Sequence, residues 1–199
     1  MTKSQICCKI ISVSKEPSSR VARSRDSLYL ALVAMIREDG YNLSIQSSEL
    51  CARANKSRAT FFRQYRQVGD IFRAKDQELL TKFSELDLSN MSRKLVWQRA
   101  LVFILQYREI FEFKFEYDRD GVLRQMLYKI RDLVAPELMR YEPKLANKLF
   151  EMLYAEVRSI IKIWLKEGAK TEEISQVARC LDCTANSVCK KWSGFFSTT

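Results

Sequence analysis

The sequence contains no histidine. That removes Ser-His-Asp and Cys-His nucleophilic sites and every His-ligated metal centre. Glycine and proline are scarce, five and three in 199 residues. So few turn-forming residues argue against β-rich, collagen-like and low-complexity chains. No apolar run approaches the ~18–20 residues that a membrane-crossing helix needs; the longest are Leu28–Ile36 and Leu101–Leu105. The apolar stretch near the N-terminus is short and broken by Lys9, so a secretory signal is not expected. There is no nucleophile–base pair, phosphate-binding glycine loop or metal cluster, so neither enzymatic activity nor a cofactor is expected.

What is present is apolar and basic. Hydrophobic residues make up 47% of the chain, too many for a disordered protein and enough to bury a core in one or two domains. The 34 Lys and Arg against 24 Asp and Glu leave a net charge of +10, which favours an acidic partner. The excess is denser at the N-terminal end: the first 80 residues carry a net +6 and the remaining 119 a net +4. Six cysteines are present. A helical chain of this size needs no disulfide staples, so free thiols in a reducing cytoplasm are expected. Cys180-x2-Cys183 with Cys189 offers three thiolates and no fourth donor nearby, which weighs against zinc.

Periodicity predicts an all-α chain of nine or ten helices. Residues 1–19 read as a flexible arm. Val21, Leu28, Leu32, Met35 and Ile36 recur at helical steps over Arg20–Asp39, and Gly40 suits a left-handed helix end. Ser44 is placed to cap a short helix over Ile45–Arg53, and Ser57 another over Arg58–Tyr65. A helix opening at Val68 or Gly69 connects to the C-terminal part over residues 67–86. Further helices are expected from Asn90 or Ser92 to Tyr107, from Asp120 to Val134, from Pro143 to Glu167, from Thr171 and from Thr184. Phe111, Phe113, Phe115 and Tyr117 alternate with polar residues, a strand-like period. A lone strand is unstable, so a short helix or irregular turn is expected there.

Two short helices joined by a tight turn behind a longer one form a helix-turn-helix, whose second short helix enters the DNA major groove. That helix holds Ser57, Arg58, Ala59, Thr60, Phe61, Phe62, Arg63, Gln64 and Tyr65. Phe61 and Tyr65, four apart, are expected inward. Arg58, Ala59, Arg63 and Gln64 are expected outward, where Arg reads guanine and Gln adenine. Ser44, Ser57, Thr60 and Arg66 suit phosphate contacts. Gln46, Lys56 and Phe62 complete the candidate DNA-binding set, within a domain over residues 20–66.

The run GYNLSIQSSELCARANKSRATFFRQY resembles the DNA-binding domain of the tetracycline-repressor (TetR) family of bacterial regulators. The features that carry the resemblance are the glycine closing helix one, the Ile45 and Leu50 pair, and Ala54 before the turn. Thr60-Phe61-Phe62 with Tyr65 three residues later, and Leu28, Ala31, Leu32 and Ile36 upstream, add to it. Further along, YREIFEFKFEYDRDGVLRQML and IIKIWLKEGAKTEEISQVARCL look like ligand-binding and dimerisation helices of a subgroup from low-GC Gram-positive bacteria. The resemblance implies an all-helical homodimer, a palindromic double-stranded DNA operator and often a small-molecule effector. Four positions depart from the family pattern. Lys56 and Ser47 replace apolar residues, Phe62 replaces a phosphate-reaching tyrosine, and Val68 replaces a backbone-binding lysine.

The remaining residues, 87–199, read as a regulatory and dimerisation domain. Leu149, Leu153, Val157, Ile160, Ile161 and Trp164 give the helix from Pro143 a broad apolar face. Part of it is available to a second subunit over about residues 143–195. Trp97, Tyr107, Phe111, Phe115, Tyr128, Tyr154 and Trp164 are candidates to line an effector cavity or simply to fill the core. The function expected is a cytoplasmic DNA-binding transcriptional regulator with no membrane partner. The alternative is a helical adaptor of the same fold, acting through protein contacts with weak or no DNA binding.

Overall fold

The computed structural model describes residues 20–39, 45–117 and 121–196. Among them every regular element is helical, as expected. The expected arm 1–19, the Gly40 helix end, the Ser44 cap and phosphate contact, and the Asp120 cap lie outside the described residues. The chain divides into two compact units, Met1–Thr81 and Lys82–Thr199.

The first unit holds α1 (Arg20–Asp39), α2 (Ser47–Arg53), α3 (Arg58–Phe62) and most of α4 (Asp70–Ser84). Four of the five residues of the predicted α1 stripe are enclosed, Leu28, Leu32, Met35 and Ile36, whereas Val21, in the first turn of the helix, is exposed. α2 starts two residues later than expected, and its N-cap is Gln46 with no side-chain cap bond. α3 is shorter than expected, ending at Phe62 rather than Tyr65, because the chain tightens into a turn at residues 63–64.

The second unit begins at the end of α4 and continues through α5 (Arg93–Gln106), α6 (Arg108–Glu116), α7 (Gly121–Val134), α8 (Pro143–Lys166) and α9 (Ile174–Phe196). Ser92 caps α5, its side chain accepting from Leu95 N at 3.4 Å. Pro136 stops α7 by driving Ala135 out of helical backbone, to φ −144 and ψ 57. Pro143 occupies the first turn of α8, where its missing N–H costs nothing. α8 ends at Gly168 with φ 106, and Ala169 N reaches back to Trp164 O at 3.0 Å. α9 packs along both α5 and α8, and Leu101, Leu149, Leu153, Ala178, Leu181 and Ala185 are fully enclosed.

Of the two outcomes expected for the Phe111–Phe113–Phe115 alternation, a short helix or an irregular turn, the structure has the helix, α6, with all three rings buried and Lys114 among them. A helix enclosed on several sides loses its single apolar stripe, so its sequence imitates a strand. One expectation changes: the two helices expected from Thr171 and Thr184 are one. Thr171–Glu173 is a 3₁₀ turn leading into α9. Ala178, Leu181, Ala185 and Val188 carry one buried face past Thr184, and no glycine or proline interrupts it before Gly194. At its start Glu173, rather than Thr171, does the capping: Oε2 accepts from Lys170 N at 3.3 Å and from Trp164 Nε1 at 3.2 Å.

Candidate nucleic-acid interface

The turn between α2 and α3 is set by Asn55. Its φ of 51 is left-handed, a conformation asparagine tolerates better than other non-glycine residues. Asn55 N donates to Ala52 O at 3.1 Å and Lys56 N to Cys51 O at 2.9 Å. This is the paired Schellman arrangement that satisfies the carbonyls at a helix end. Burial on the same helix raises the Cys51 thiol pKa. Three residues later the chain restarts as a helix because Ser57 caps it. Ser57 Oγ accepts from Thr60 N at 3.1 Å and lies 2.9 Å from the Thr60 hydroxyl.

α3 then divides by face. Phe61 is 0% exposed, and Tyr65 is buried beside it with ring centroids 5.8 Å apart. Phe62 meets Phe61 edge-on at 5.1 Å, yet is 49% exposed. The Arg58 guanidinium lies over the Phe62 ring, 5.8 Å from its centroid, one helical turn back. Arg58, Ala59, Phe62 and Arg63 therefore share the exposed side of one short helix, and Arg66 is exposed just beyond it. Thr60 is half-buried, and Lys56 is half-buried in the turn. Gln46 stands apart, exposed at the start of α2, with Ser48 Oγ donating to its Oε1 at 3.5 Å.

Gln64 is a correction. Expected outward, it is half-buried, and its Nε2 donates to Ser24 Oγ on α1 at 3.3 Å. The turn at residues 63–64 rotates it away from the face that a longer helix would have given it. The outward set thus loses its only adenine-reading amide and keeps its arginines.

The charge on this face is uncompensated. Among the described residues no carboxylate pairs with Arg58, Arg63 or Arg66, whereas Arg53 of α2 is neutralised by Glu38 at the end of α1. Arg66 and Gln67 are held by backbone instead. Their amides donate to Asp70 Oδ2 at 2.9 and 3.1 Å. A hydrogen bond from Arg73 and those two amides hold the Asp70 carboxyl below its ordinary pKa. Sequence reading missed the clamp that seats α4 on α1. Lys75 Nζ lies 2.9 Å from Asp26 Oδ1 and 3.1 Å from Glu78 Oε2, above the Tyr29 ring. Lys75 and Asp26 are 49 residues apart, and no local pattern announces such a pair.

The second unit contains an apolar cavity of about 20 Å³, lined by Trp97, Leu101, Ile104, Met126, Ile161 and their neighbours. Of the seven aromatic candidates only Trp97 lines it. Its Nε1 is buried without a partner among the described residues. The space is about that of one water molecule. Among the described residues no helix is long and apolar enough to cross a membrane.

No family model, curated protein or solved structure matches this chain.

Proposed function

We propose that this chain is a DNA-binding transcriptional regulator of the kind the TetR resemblance implies, with α3 as its recognition helix. The observation that carries the reading is the outward face of α3: Arg58, Ala59, Phe62 and Arg63 exposed on a Ser57-capped helix, with no carboxylate among the described residues opposing the arginines. Arginine donors suit guanine edges, and Ala59 and Phe62 suit the thymine methyl. Ser57, Thr60, Lys56 and Arg66 would anchor the backbone, with Gln46 at the start of α2.

The regulator acts as a cytoplasmic homodimer on a palindromic operator. Its partner surface lies on α8 and α9, over about residues 143–195. Support comes from Ile163, which is 56% exposed on a helix whose other large aliphatic side chains are mostly enclosed. A small-molecule effector bound in the second unit would switch it, provided the cavity expands to admit one. Two recognition helices reach successive major grooves at a spacing of about 34–36 Å, so a small change in spacing changes affinity.

The test is selection of bound sites from random duplex DNA at two salt concentrations, followed by Arg58→Ala and Arg63→Ala. A palindromic motif is expected, with relaxed preference at one position per arginine and a loss of about 1–3 kcal/mol for each bidentate contact removed. Binding that is sequence-blind, or absent at both salt concentrations, overturns the reading in favour of the helical adaptor.

A further inference from the structure

The cysteines of α9 fall into two kinds. Cys189 is 3% exposed, and its thiol is pushed up to about 11, chiefly by burial. Cys180 and Cys183 are exposed. They stand one helical turn apart, on a side continued by exposed Gln176 and Ser187.

Side chains three apart on a helix share a face, with Cβ atoms about 5–6 Å apart. A disulfide needs about 3.5–4.5 Å, so joining these sulfurs directly would require the helix to tighten. A single soft atom bonded to both sulfurs spans the gap without that distortion. The number of donors then selects the ligand. Among the described residues no group of three His, Cys, Asp or Glu is placed to hold a metal. The intervening Asp182 is already engaged, its Oδ1 lying 2.7 Å from Arg93 Nε in an ion pair. Two sulfurs do not complete a four-ligand zinc site, nor the three-sulfur set that inorganic arsenite takes. Trivalent arsenic bearing one carbon substituent has two valences left, and thiolates are its preferred soft partners.

We propose that Cys180 and Cys183 form a binding site for monosubstituted trivalent arsenicals, R–As(OH)₂. Two As–S bonds form and two As–O bonds break. The two hydroxyls leave as water with the two thiol protons, and arsenic stays trivalent. The site does not require DNA binding, but it does require that the Cys180–Cys183 side of α9 stay outside the partner surface proposed above.

The experiment adds phenylarsine oxide to the full-length chain carrying Cys7→Ser and Cys8→Ser, which removes the other closely spaced cysteine pair. Intact mass reports arsenic per chain under excess 2-mercaptoethanol. One arsenic per chain is expected, surviving the monothiol and released by 2,3-dimercaptopropanol. Cys180→Ser and Cys183→Ser are each expected to weaken retention by about 10²-fold, because the second As–S bond is intramolecular. Both positions are exposed, and an unchanged helical circular dichroism spectrum separates loss of the site from loss of the fold. No adduct, undiminished retention in either single variant, or one arsenic shared between two chains would each overturn the proposal.

Discussion

Two helix junctions in this chain use the same backbone device and lead to opposite results. α2 and α3 turn through Asn55, and α8 leads to α9 through Gly168. Both residues are left-handed, at φ 51 and 106, and both turns carry the paired return hydrogen bonds of a Schellman ending. The first junction joins helices of seven and five residues. Helices that short fully bury only Leu50, Cys51 and Phe61 and leave most of the rest exposed. The second leads, through a 3₁₀ turn, from a 24-residue helix to a 23-residue one. There the long faces close on a core from Leu149 to Val188. Turn chemistry fixes how the chain reverses; helix length decides whether the pair presents a surface or hides one.

The contrast breaks most readily at the single anchor of the short pair. Phe61→Ala is expected to cost about 3–5 kcal/mol. The small first unit has little stability beyond that to lose. Hydrogen exchange should then show α2 and α3 unprotected while α5, α8 and α9 remain protected. Arg58→Ala and Arg63→Ala on the outward face should shift stability by less than about 0.5 kcal/mol. Equal losses from Phe61 and Arg58 would mean that α3 has no inward and outward side.

The turns themselves sharpen the comparison. A Cβ added at Gly168 meets nothing within 4 Å, so Gly168→Ala tests backbone conformation alone. It is expected to cost about 1–2 kcal/mol. Asn55→Gly should be neutral or slightly stabilising, since glycine adopts the same conformation freely. Urea unfolding of both variants checks the pair; a neutral Gly168→Ala would remove the shared device. One step smaller is the cap. Ser57→Ala is expected to cost about 1 kcal/mol, and Ser57→Asp to restore most of it.

Much of this was legible because local chemistry dictated it. Ser57, Ser92, Pro136, Pro143 and Gly168 mark their boundaries through capping, a missing donor or a left-handed φ, all of which act within a few residues. The α1 stripe was legible because that helix buries one face. α6 was legible only as a helix or an irregular turn, since burial on several sides erased its period. The unity of α9 was hidden because Thr171 and Thr184 looked like two helix starts while the continuous face from Ala178 to Val188 was decided by packing. At the candidate interface, the outward positions of Arg58, Ala59 and Arg63 were readable from spacing, and that of Phe62 was not. Gln64 was misplaced because a single turn of backbone at residues 63–64 redirected it toward Ser24. The Lys75–Asp26 clamp joins residues too distant in sequence for any periodicity to announce.

The smallest expected effect tests how firmly the end of the short pair is tied to α4. The Asp70 carboxylate receives a hydrogen bond from Arg73 and from the Arg66 and Gln67 amides, which lowers its pKa in the folded chain. A depressed folded pKa gives stability that is fully present above the unfolded value, about 3.9. That stability fades as pH falls through the folded value. Asp70→Asn keeps an oxygen that can accept from the two amides but removes the charge opposite Arg73. The stability difference between wild type and Asp70→Asn should therefore be constant near neutral pH and narrow on acidification through the carboxylate range. Unfolding curves at a series of pH values measure that gap. A gap that stays constant would show that the amides, not the charge, hold the turn. The clasp would then be a matter of backbone geometry, as at Asn55 and Gly168.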